Sequence, residues 1–341
     1  MTNPGADSLA RKPRLGFVGL GWIGRNRLES VVNTGAAEIC ALHDVTPAAV
    51  TEAQKLTPKA VVFSSFEELL DHDLDGVVIA TPNSFHAEQS IAALNRGLAV
   101  FCQKPLGRTA VETSSIVETA RNAKRLLGVD LSYRHIPAMQ QVSSLVQSGA
   151  LGRVFAVDAK FHNAYGPDKQ WFYDYSLSGG GCMLDLGVHL LDLALEPLGF
   201  PRVTRTEGAL FSEGRMLPKP TRQAEDYATA HIETVDSAAI NLSCSWNLHA
   251  GRAAEIDVTF YGTGGGASLR NVDGSFYDFL AERFHGTEKE TLRSPEDAQW
   301  KWGGLATLDW VTKLASNEGF DSTSERLITI SEIIDRIYGR K

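Results

Sequence analysis

The chain has 341 residues, of which 43% are hydrophobic and 22% charged, and its formal net charge is −8. This length exceeds what one hydrophobic core usually serves, so we expect two domains. The acidic balance without a basic run argues against a nucleic-acid partner, and the lack of a long apolar run argues against a membrane span.

The N-terminal segment MTNPGADSLARKP is polar and has no apolar signal region, which favours a cytoplasmic location. The four cysteines lie far apart in the sequence, at Cys40, Cys102, Cys182 and Cys244. Because they form no CxxC spacing, we expect reduced, mostly buried thiols, and neither a metal site nor a disulfide framework.

Short β-branched runs alternate with amphipathic stretches in the first half of the chain. The runs are RLGFVGL, AEICALHD, AVVF, GVVIAT, LAVFCQ and LGVDLSY, between Arg14 and Tyr133. Strands that alternate with helices are typical of βαβ units and of a parallel, doubly wound sheet. We therefore predict a dinucleotide-binding Rossmann domain over residues 1–130.

The first of these strands leads into the motif GLGWIG, which places Gly19, Gly21 and Gly24 at the start of a helix. In a G-x-G-x-x-G motif the first glycine permits a tight turn and the second lets the backbone approach a pyrophosphate. The third lets the helix pack closely on the strand. We include the intervening Trp22 and Ile23 in the predicted cofactor site.

The second strand ends at Asp44, about twenty positions after Gly24. A carboxylate at this position accepts hydrogen bonds from the ribose hydroxyls of NAD and repels the 2′-phosphate of NADP. No arginine follows Asp44 closely, so NAD is favoured. NADP is the less favoured alternative, because His43 could assist a phosphate.

Loops after the fourth and fifth strands should face the same ligand, by the rule for open α/β sheets. ATPNSFH offers Thr81, Pro82 and Asn83 to the nicotinamide side. Asn83 is equally well interpreted as the cap of a helix that begins near His86, and His86 as a structural residue. CQKP places Gln103 and Lys104 at the end of the fifth strand.

A later segment, SGGGCMLDLGVHLLD, places Asp185 and His189 four residues apart, on one face of a predicted helix. An ion pair on a helix surface is the ordinary interpretation of that spacing. The apolar neighbours bury this helix, however, and the glycines from Gly179 to Gly181 allow close backbone approach. Together with Lys104, these features favour a catalytic site.

GFVGLGWIG, ATPNSFH, QKP and SGGGCMLDLGVHLLD together resemble the glucose-fructose oxidoreductase and inositol dehydrogenase family, also called Gfo/Idh/MocA. The resemblance covers essentially the whole chain. It implies an α/β architecture, in which a Rossmann domain precedes an α+β domain with a large, open, mostly antiparallel sheet. It also implies an NAD(P)-dependent dehydrogenase or reductase of sugars, inositols and related polyols.

The family motif after the fifth strand is Glu-Lys-Pro, so its lysine matches Lys104, and its later aspartate and histidine match Asp185 and His189. The departure is Gln103. Glutamine keeps the shape of glutamate but removes a charge that would favour the protonated lysine. Pro105 follows, and the sequence leaves its peptide bond open between cis and trans.

Oxidation of a secondary alcohol requires a base, which His189 supplies in this interpretation, with Asp185 fixing its tautomer and Lys104 donating to the substrate oxygen. The alternative assigns proton acceptance to Lys104. The family resemblance also implies pocket residues in SYRH and FHNAYGPDKQWFYDY, and it places the WF pair over the cofactor.

The predicted cofactor site comprises Gly19, Gly21, Trp22, Ile23, Gly24, Asp44, Thr81, Pro82, Asn83, His86, Gln103, Lys104 and Trp171. The predicted substrate site comprises Lys104, Arg134, Asn163, Tyr165, Asp185 and His189.

Period-two alternation after residue 225 predicts antiparallel strands, so residues 131–322 form the sheet domain in this interpretation. Helices are expected at 305–317 and 323–338, with residues 323–341 returning to the first domain. The segment RFHGTEKETLRSPEDAQWKWGG is left open between a surface loop and a lid. An apolar outer face of the sheet would be buried in a homodimer or homotetramer.

Three functions remain for test: a sugar or polyol oxidoreductase, an NAD-dependent glycoside hydrolase that oxidises the sugar transiently, and a non-enzymatic NAD-binding regulator. The first is favoured, because the lysine, aspartate and histidine are all present.

Overall fold

Two β-sheets organise the chain, and the computed structural model describes residues 11–294 and 304–340. The first sheet has six parallel strands in the order β3-β2-β1-β4-β5-β6. These strands are β1 Arg14–Val18, β2 Glu38–His43, β3 Val61–Val62, β4 Gly76–Ile79, β5 Ala99–Cys102 and β6 Leu127–Val129. The strand order reverses between β1 and β4, and ligands of open α/β sheets bind at such a switch point.

Helices cover both faces of this sheet. They are α1 Trp22–Thr34, α2 Pro47–Leu56, α3 Phe66–Leu70, α4 Asn83–Asn95 and α5 Ala110–Ala123. Strands β4 and β5 are buried along their whole length, as expected for strands with apolar layers on both sides. The predicted doubly wound Rossmann fold is confirmed.

The second sheet has nine strands in the order β15-β14-β13-β12-β7-β11-β10-β8-β9. All neighbours are antiparallel except β7 and β11. The strands are β7 Val154–Asn163, β8 Val203–Ser212, β9 Arg215–Met216, β10 Tyr227–Thr234, β11 Ala239–Ser245, β12 Ala254–Gly262, β13 Gly265–Asn271, β14 Phe279–His285 and β15 Glu288–Arg293. The predicted large, mostly antiparallel sheet is confirmed.

One face of the nine-stranded sheet packs on helices and forms the core of this half of the chain. The remaining helices are α6 Pro137–Gln147, α7 Tyr175–Ser178, α8 Val188–Leu195, α9 Leu305–Ala315 and α10 Arg326–Tyr338. Shorter turns of 3-10 type span Ser132–His135, Gln170–Tyr173 and Ser322–Glu325, and a π-helical turn spans Met183–Gly187.

The other face of this sheet is polar. Asn241 donates to Asp158 and contacts His231, and Lys160 pairs with Glu255 at 2.7 Å. The expectation of an apolar outer face is therefore wrong. Alternation along β7, β10, β11 and β12 places apolar side chains on the helix-covered side and charged or amide groups on the other.

The last two helices connect the two halves of the chain. Helix α9 packs on α1 and on strands β5 and β6, where Trp310 contacts Phe101. Helix α10 lies between α5 and β8, and its Asp335 carboxylate accepts a hydrogen bond from the Ala110 amide at the start of α5. The C-terminal segment therefore holds both sheets in a fixed relation.

The segment left open between a loop and a lid begins as a hairpin of β14 and β15. Its tryptophans, Trp300 and Trp302, lie outside the described residues. None of the helices in the described ranges is long and apolar enough to cross a bilayer.

Candidate active site

The glycine loop after β1 has the shape of a phosphate cradle. Gly19 has φ of 83°, and a Cβ there would lie 2.5 Å from the Ala80 backbone, while a Cβ on Gly24 would lie 1.9 Å from the Gly19 oxygen. A Cβ on Gly21 would meet nothing within 4 Å. The loop is thus packed tightly at its ends and open at Gly21, at the start of α1, where a pyrophosphate would bind.

Asp44 lies beside this loop, immediately after β2. Its carboxylate accepts hydrogen bonds from the Leu20 amide at 2.6 Å and from the Thr46 amide at 2.7 Å. His43 is turned away, with Nδ1 3.1 Å from the Phe63 carbonyl oxygen. Trp22 is 57% exposed at the first residue of α1, with Ile23 half-buried behind it. These residues fit a dinucleotide whose ribose carries two hydroxyls and no 2′-phosphate, as in NAD.

The loop after β4 is held by side chains that were predicted to contact the cofactor. Asn83 begins α4, so it is not the cap of a later helix, and its amide donates to the Ser178 carbonyl of the second domain at 2.8 Å. The His86 ring is fully buried between the carbonyl oxygens of Thr81 and Pro105, each at 2.7 Å. His86 therefore supports two loops from inside the protein and does not line the crevice.

Thr81 and Pro82 remain half-buried at the end of β4, at the edge of the crevice. The Thr81 hydroxyl donates to the Gln89 side chain at 2.6 Å, and Pro82 caps α4. Their contact with the nicotinamide stays a prediction.

Lys104 reaches across from the first domain to the second. Its ammonium group forms an ion pair with the Asp185 carboxylate and donates to the Asp185 carbonyl at 2.8 Å. Trp246 Nε1 donates to the other carboxylate oxygen at 3.1 Å. An ammonium group has three N–H donors, so one is left for a substrate oxygen. The Lys104–Pro105 peptide bond is cis.

Asp185 lies in the π-helical turn Met183–Gly187, and α8 begins directly after it. The expectation that Asp185 fixes the tautomer of His189 is wrong, because the carboxylate is engaged by Lys104 and Trp246. The i→i+5 hydrogen bonding of a π-turn makes the turn wider, which changes the direction of side chains relative to the predicted α-helical face. The ring of His189 packs instead edge-on against Tyr133, with the centroids 4.9 Å apart.

His189 is buried, and its Nδ1 atom has no hydrogen-bond partner among the described residues. Burial lowers the pKa of His189 well below its ordinary value, and the positive charges of Lys104 and Arg27 lower it further. The imidazole is consequently neutral at physiological pH, which is the state required of a proton acceptor.

The glycines from Gly179 to Gly181 pack against protein rather than leaving room for a ligand. A Cβ on Gly181 would lie 1.9 Å from the Glu225 carbonyl oxygen, and one on Gly180 would lie 2.2 Å from the Tyr338 hydroxyl. The Glu225 carboxylate accepts hydrogen bonds from Tyr338 and from the Gly181 and Met183 amides. Burial raises the pKa of Glu225 to about 7. This network fixes the start of the π-turn.

Gln103 is buried, and its side-chain amide donates to the Asp130 carboxylate. Arg27 of α1 donates to the same carboxylate oxygen at 2.5 Å. The Gln103 side chain therefore points into the protein, towards β6, and not towards the cofactor as predicted.

Arg134 and Asn163, two of the predicted substrate residues, differ from each other in whether their polar groups have partners. Arg134 forms two hydrogen bonds with the buried Asp192 carboxylate, so its guanidinium joins the turn after β6 to α8. Asn163, at the end of β7, has a buried side-chain oxygen without a partner in the described part of the chain. A buried acceptor without a donor suits a substrate hydroxyl.

Trp171, which was predicted to lie over the cofactor, belongs to a connected row of aromatic rings. Trp171 stacks on Phe172 with the ring centroids 3.8 Å apart, and both Phe172 and Tyr173 pack edge-on against Trp246. Tyr165 is 53% exposed beside Phe276. Because Trp246 is hydrogen-bonded to Asp185, the row ends at the ion pair.

Sequence analysis missed Trp246, Arg27 and Asp130. Trp246 follows β11 and looked like an ordinary strand residue. Asp130 is an isolated charge at the end of the apolar run of β6, which was a usable signal. Arg27 carried none, because an arginine on an amphipathic helix is usually exposed.

A model of the NAD-binding Rossmann fold of an oxidoreductase family matches residues 13–131, and a model of the GFO/IDH/MocA C-terminal domain matches residues 139–268. The chain belongs to the Gfo/Idh/MocA family. It is 30% identical over 254 residues to D-glucoside 3-dehydrogenase of Escherichia coli, an alignment that covers 69% of this chain and 72% of that relative. The resemblance seen in the sequence is confirmed.

Solved structures of this fold cover almost the whole chain. Levoglucosan dehydrogenase in complex with NADH and levoglucosan superposes with a TM-score of 0.80 at 19% identity, over 95% of this chain and 96% of that one. GenD2 from gentamicin A biosynthesis, in complex with NAD, gives 0.79 at 22% identity, over 99% and 96% of the two chains. At this identity the likeness shows the shared family fold.

We predict that the Lys104→Met variant has a higher His189 pKa than the wild type. The substitution removes a positive charge that disfavours the imidazolium, so the protonated ring becomes more stable. An NMR titration of the His189 ring protons, assigned with His189→Ala, measures the midpoint in both proteins. Lys55→Met, on the exposed face of α2, should leave the midpoint unchanged. An equal midpoint in Lys104→Met would show that the two groups do not interact.

Proposed function

We propose that the protein is an NAD(H)-dependent oxidoreductase that transfers a hydride between the nicotinamide and a secondary alcohol or ketone of a sugar, inositol or related polyol. The observation that carries this proposal is the ion pair of Lys104, from the end of β5, with Asp185 of the other domain, beside a buried His189 whose pKa the Lys104 charge lowers. They meet at the carboxyl edge of the parallel sheet, where the glycine loop and Asp44 provide the dinucleotide cradle.

The residues of the chain divide the chemistry between them. Bound in the glycine loop and beside Asp44, NAD would supply the hydride acceptor of the reaction. His189, neutral at the start, accepts the hydroxyl proton, and the remaining N–H of Lys104 stabilises the negative charge that develops on the oxygen. Asp185 and Trp246 hold the Lys104 ammonium in place.

The hydrolase and the regulator are not favoured. D-glucoside 3-dehydrogenase and levoglucosan dehydrogenase are named as dehydrogenases, and the lysine, aspartate and histidine of the family motif are intact in this chain. A hydrolase would release the aglycone of a glycoside without accumulating NADH. A regulator would bind NAD without turnover.

We expect the protein to reduce NAD with at least one member of a panel of sugars, glycosides and inositols. The NADH that forms is measured by the absorbance of the cofactor at 340 nm. Lys104→Met should lower kcat by roughly a hundredfold or more while NAD binding survives, because it removes one donor to the developing charge. His189→Ala should have a comparable effect, and the double variant should lose less than the product of the two losses.

Lys55→Met serves as the matched control for the loss of a lysine and should behave like the wild type. If Lys104→Met turns over at the normal rate, the lysine has no part in the reaction. If no compound of the panel reduces NAD, while glycosides release their aglycones, the protein is a hydrolase.

NAD preference follows from Asp44. Asp44→Ser removes the ribose acceptor and the repulsion of a 2′-phosphate, so kcat/KM with NAD should fall by roughly tenfold or more, as for hydrogen bonds to a charged group. The efficiency with NADP should rise relative to NAD. Asp44→Asn, which keeps the size of the side chain, should shift the ratio in the same direction. An unchanged ratio in both variants would show that Asp44 does not face the ribose.

The proposal also includes assembly into a homodimer or homotetramer and a cytoplasmic location. The outer face of the nine-stranded sheet is polar and carries ion pairs such as Lys160 with Glu255. Such a face suits an interface between subunits that contains water and binds with moderate strength. Light scattering at micromolar concentration should therefore report a dimer or tetramer that weakens in high salt. A monomer under these conditions contradicts this.

A further inference from the structure

A buried charge cluster lies beneath the proposed active site, and the mechanism above does not use it. The side chains of Arg27 and Asp130 are 1% and 0% exposed, with the guanidinium Nε 2.5 Å from the carboxylate. The Gln103 amide donates to the same carboxylate oxygen. Asp130 Oδ1 has no partner among the described residues. A buried carboxylate that holds two donors from different segments fixes those segments relative to each other.

The sheet register explains why positions 103 and 130 meet. Strands β5 and β6 are parallel and pair Cys102 with Val129, so Gln103 and Asp130 are the next residues on neighbouring strands. The Asp130 amide donates to the Cys102 carbonyl at 3.0 Å. The carboxylate of this pair therefore comes from β6, and β5 supplies the amide.

Asp130 is connected to each part of the site. Through Arg27 it is fixed to α1, which begins at the glycine loop. Through Gln103 it is fixed to the residue before Lys104. Tyr133 follows Asp130 by three residues in the chain, and its ring packs against His189.

We propose that Asp130 is a positioning residue for Lys104 and His189, and that the buried site beside Arg27 holds one carboxylate, which positions 103 and 130 can each supply. The proposal rests on the oxidoreductase function argued above. It follows that restoring the family residue alone is harmful, because Gln103→Glu would place two carboxylates against one guanidinium in a buried site.

The test is an exchange of the two groups. Gln103→Glu adds a second carboxylate, Asp130→Asn leaves Arg27 without one, and the double variant Gln103→Glu with Asp130→Asn restores a single carboxylate. We expect kcat per NAD-binding site to fall by about tenfold in each single variant and to recover in the double variant to within about threefold of the wild type. The number of NAD-binding sites is counted by titration with saturating NAD.

Glu282→Gln is the matched structural control. Glu282 is a buried carboxylate of the other sheet, paired with Arg270 and Lys289 at 2.8 Å each. Its loss should lower the midpoint of thermal unfolding without changing kcat per site. If Asp130→Asn behaves in the same way, or if the double variant is no better than the single ones, Asp130 has no positioning role.

Gln103→Met covers the case in which a charged variant does not fold, because it removes the amide donor without adding a charge. We expect kcat per site to fall severalfold, and the unfolding midpoint to fall no further than in Glu282→Gln, in which kcat per site is unchanged. Wild-type turnover in Gln103→Met would overturn the proposal.

The His189 titration separates this inference from the proposed function. Lys104 and Arg27 are the charges that act on His189, and Tyr133 packs on its ring. Asp130→Asn leaves the Arg27 charge uncompensated, so the titration midpoint should fall, and the double variant should raise it again. Inactivity of the wild type on every polyol refutes the oxidoreductase proposal alone, whereas an unchanged midpoint refutes the role of Asp130.

Discussion

The ion pair between Lys104 and Asp185 is the interaction on which the site depends, because it joins two domains through residues 81 positions apart. Both side chains are largely removed from water, at 17% and 15% exposure. Burying an ion pair costs desolvation energy unless further hydrogen bonds complete it. The Asp185 carbonyl and the Trp246 indole complete this one. The pair therefore holds the domains at a fixed distance and orients the ammonium towards the crevice.

The π-turn explains why the ion pair forms across the domains and not along the helix. In a regular α-helix, Asp185 and His189 would share a face. Here Glu225 binds the Gly181 and Met183 amides, and the turn that follows is wider than an α-helical one. Asp185 is thereby directed to Lys104 and His189 to Tyr133. The wider turn therefore separates the two side chains. Asp185 holds Lys104, and His189 is left to accept a proton.

The sequence predicted what depends on local pattern and missed what depends on contacts between distant segments. Strand runs, the glycine loop and the Asp44 position are written in short windows of residues, and the structure has them where they were expected. Arg134 looked like a pocket residue because its partner, Asp192, is 58 positions away. Likewise, the glycines at 179–181 predicted a close backbone approach, but their own segment does not show that Gly181 approaches the backbone of Glu225.

The cations in and beneath the candidate site share one property. Three cations each have a carboxylate partner from a distant segment: Arg27 with Asp130, Lys104 with Asp185, and Arg134 with Asp192. Among the described residues, His189 has no carboxylate partner, and its surroundings disfavour a positive charge. The fixed charges are thus balanced before substrate binds, and the imidazole is the group free to change its charge. A proton that leaves the substrate can be taken up by His189 without breaking any of these three pairs, of which Lys104 with Asp185 joins the two domains.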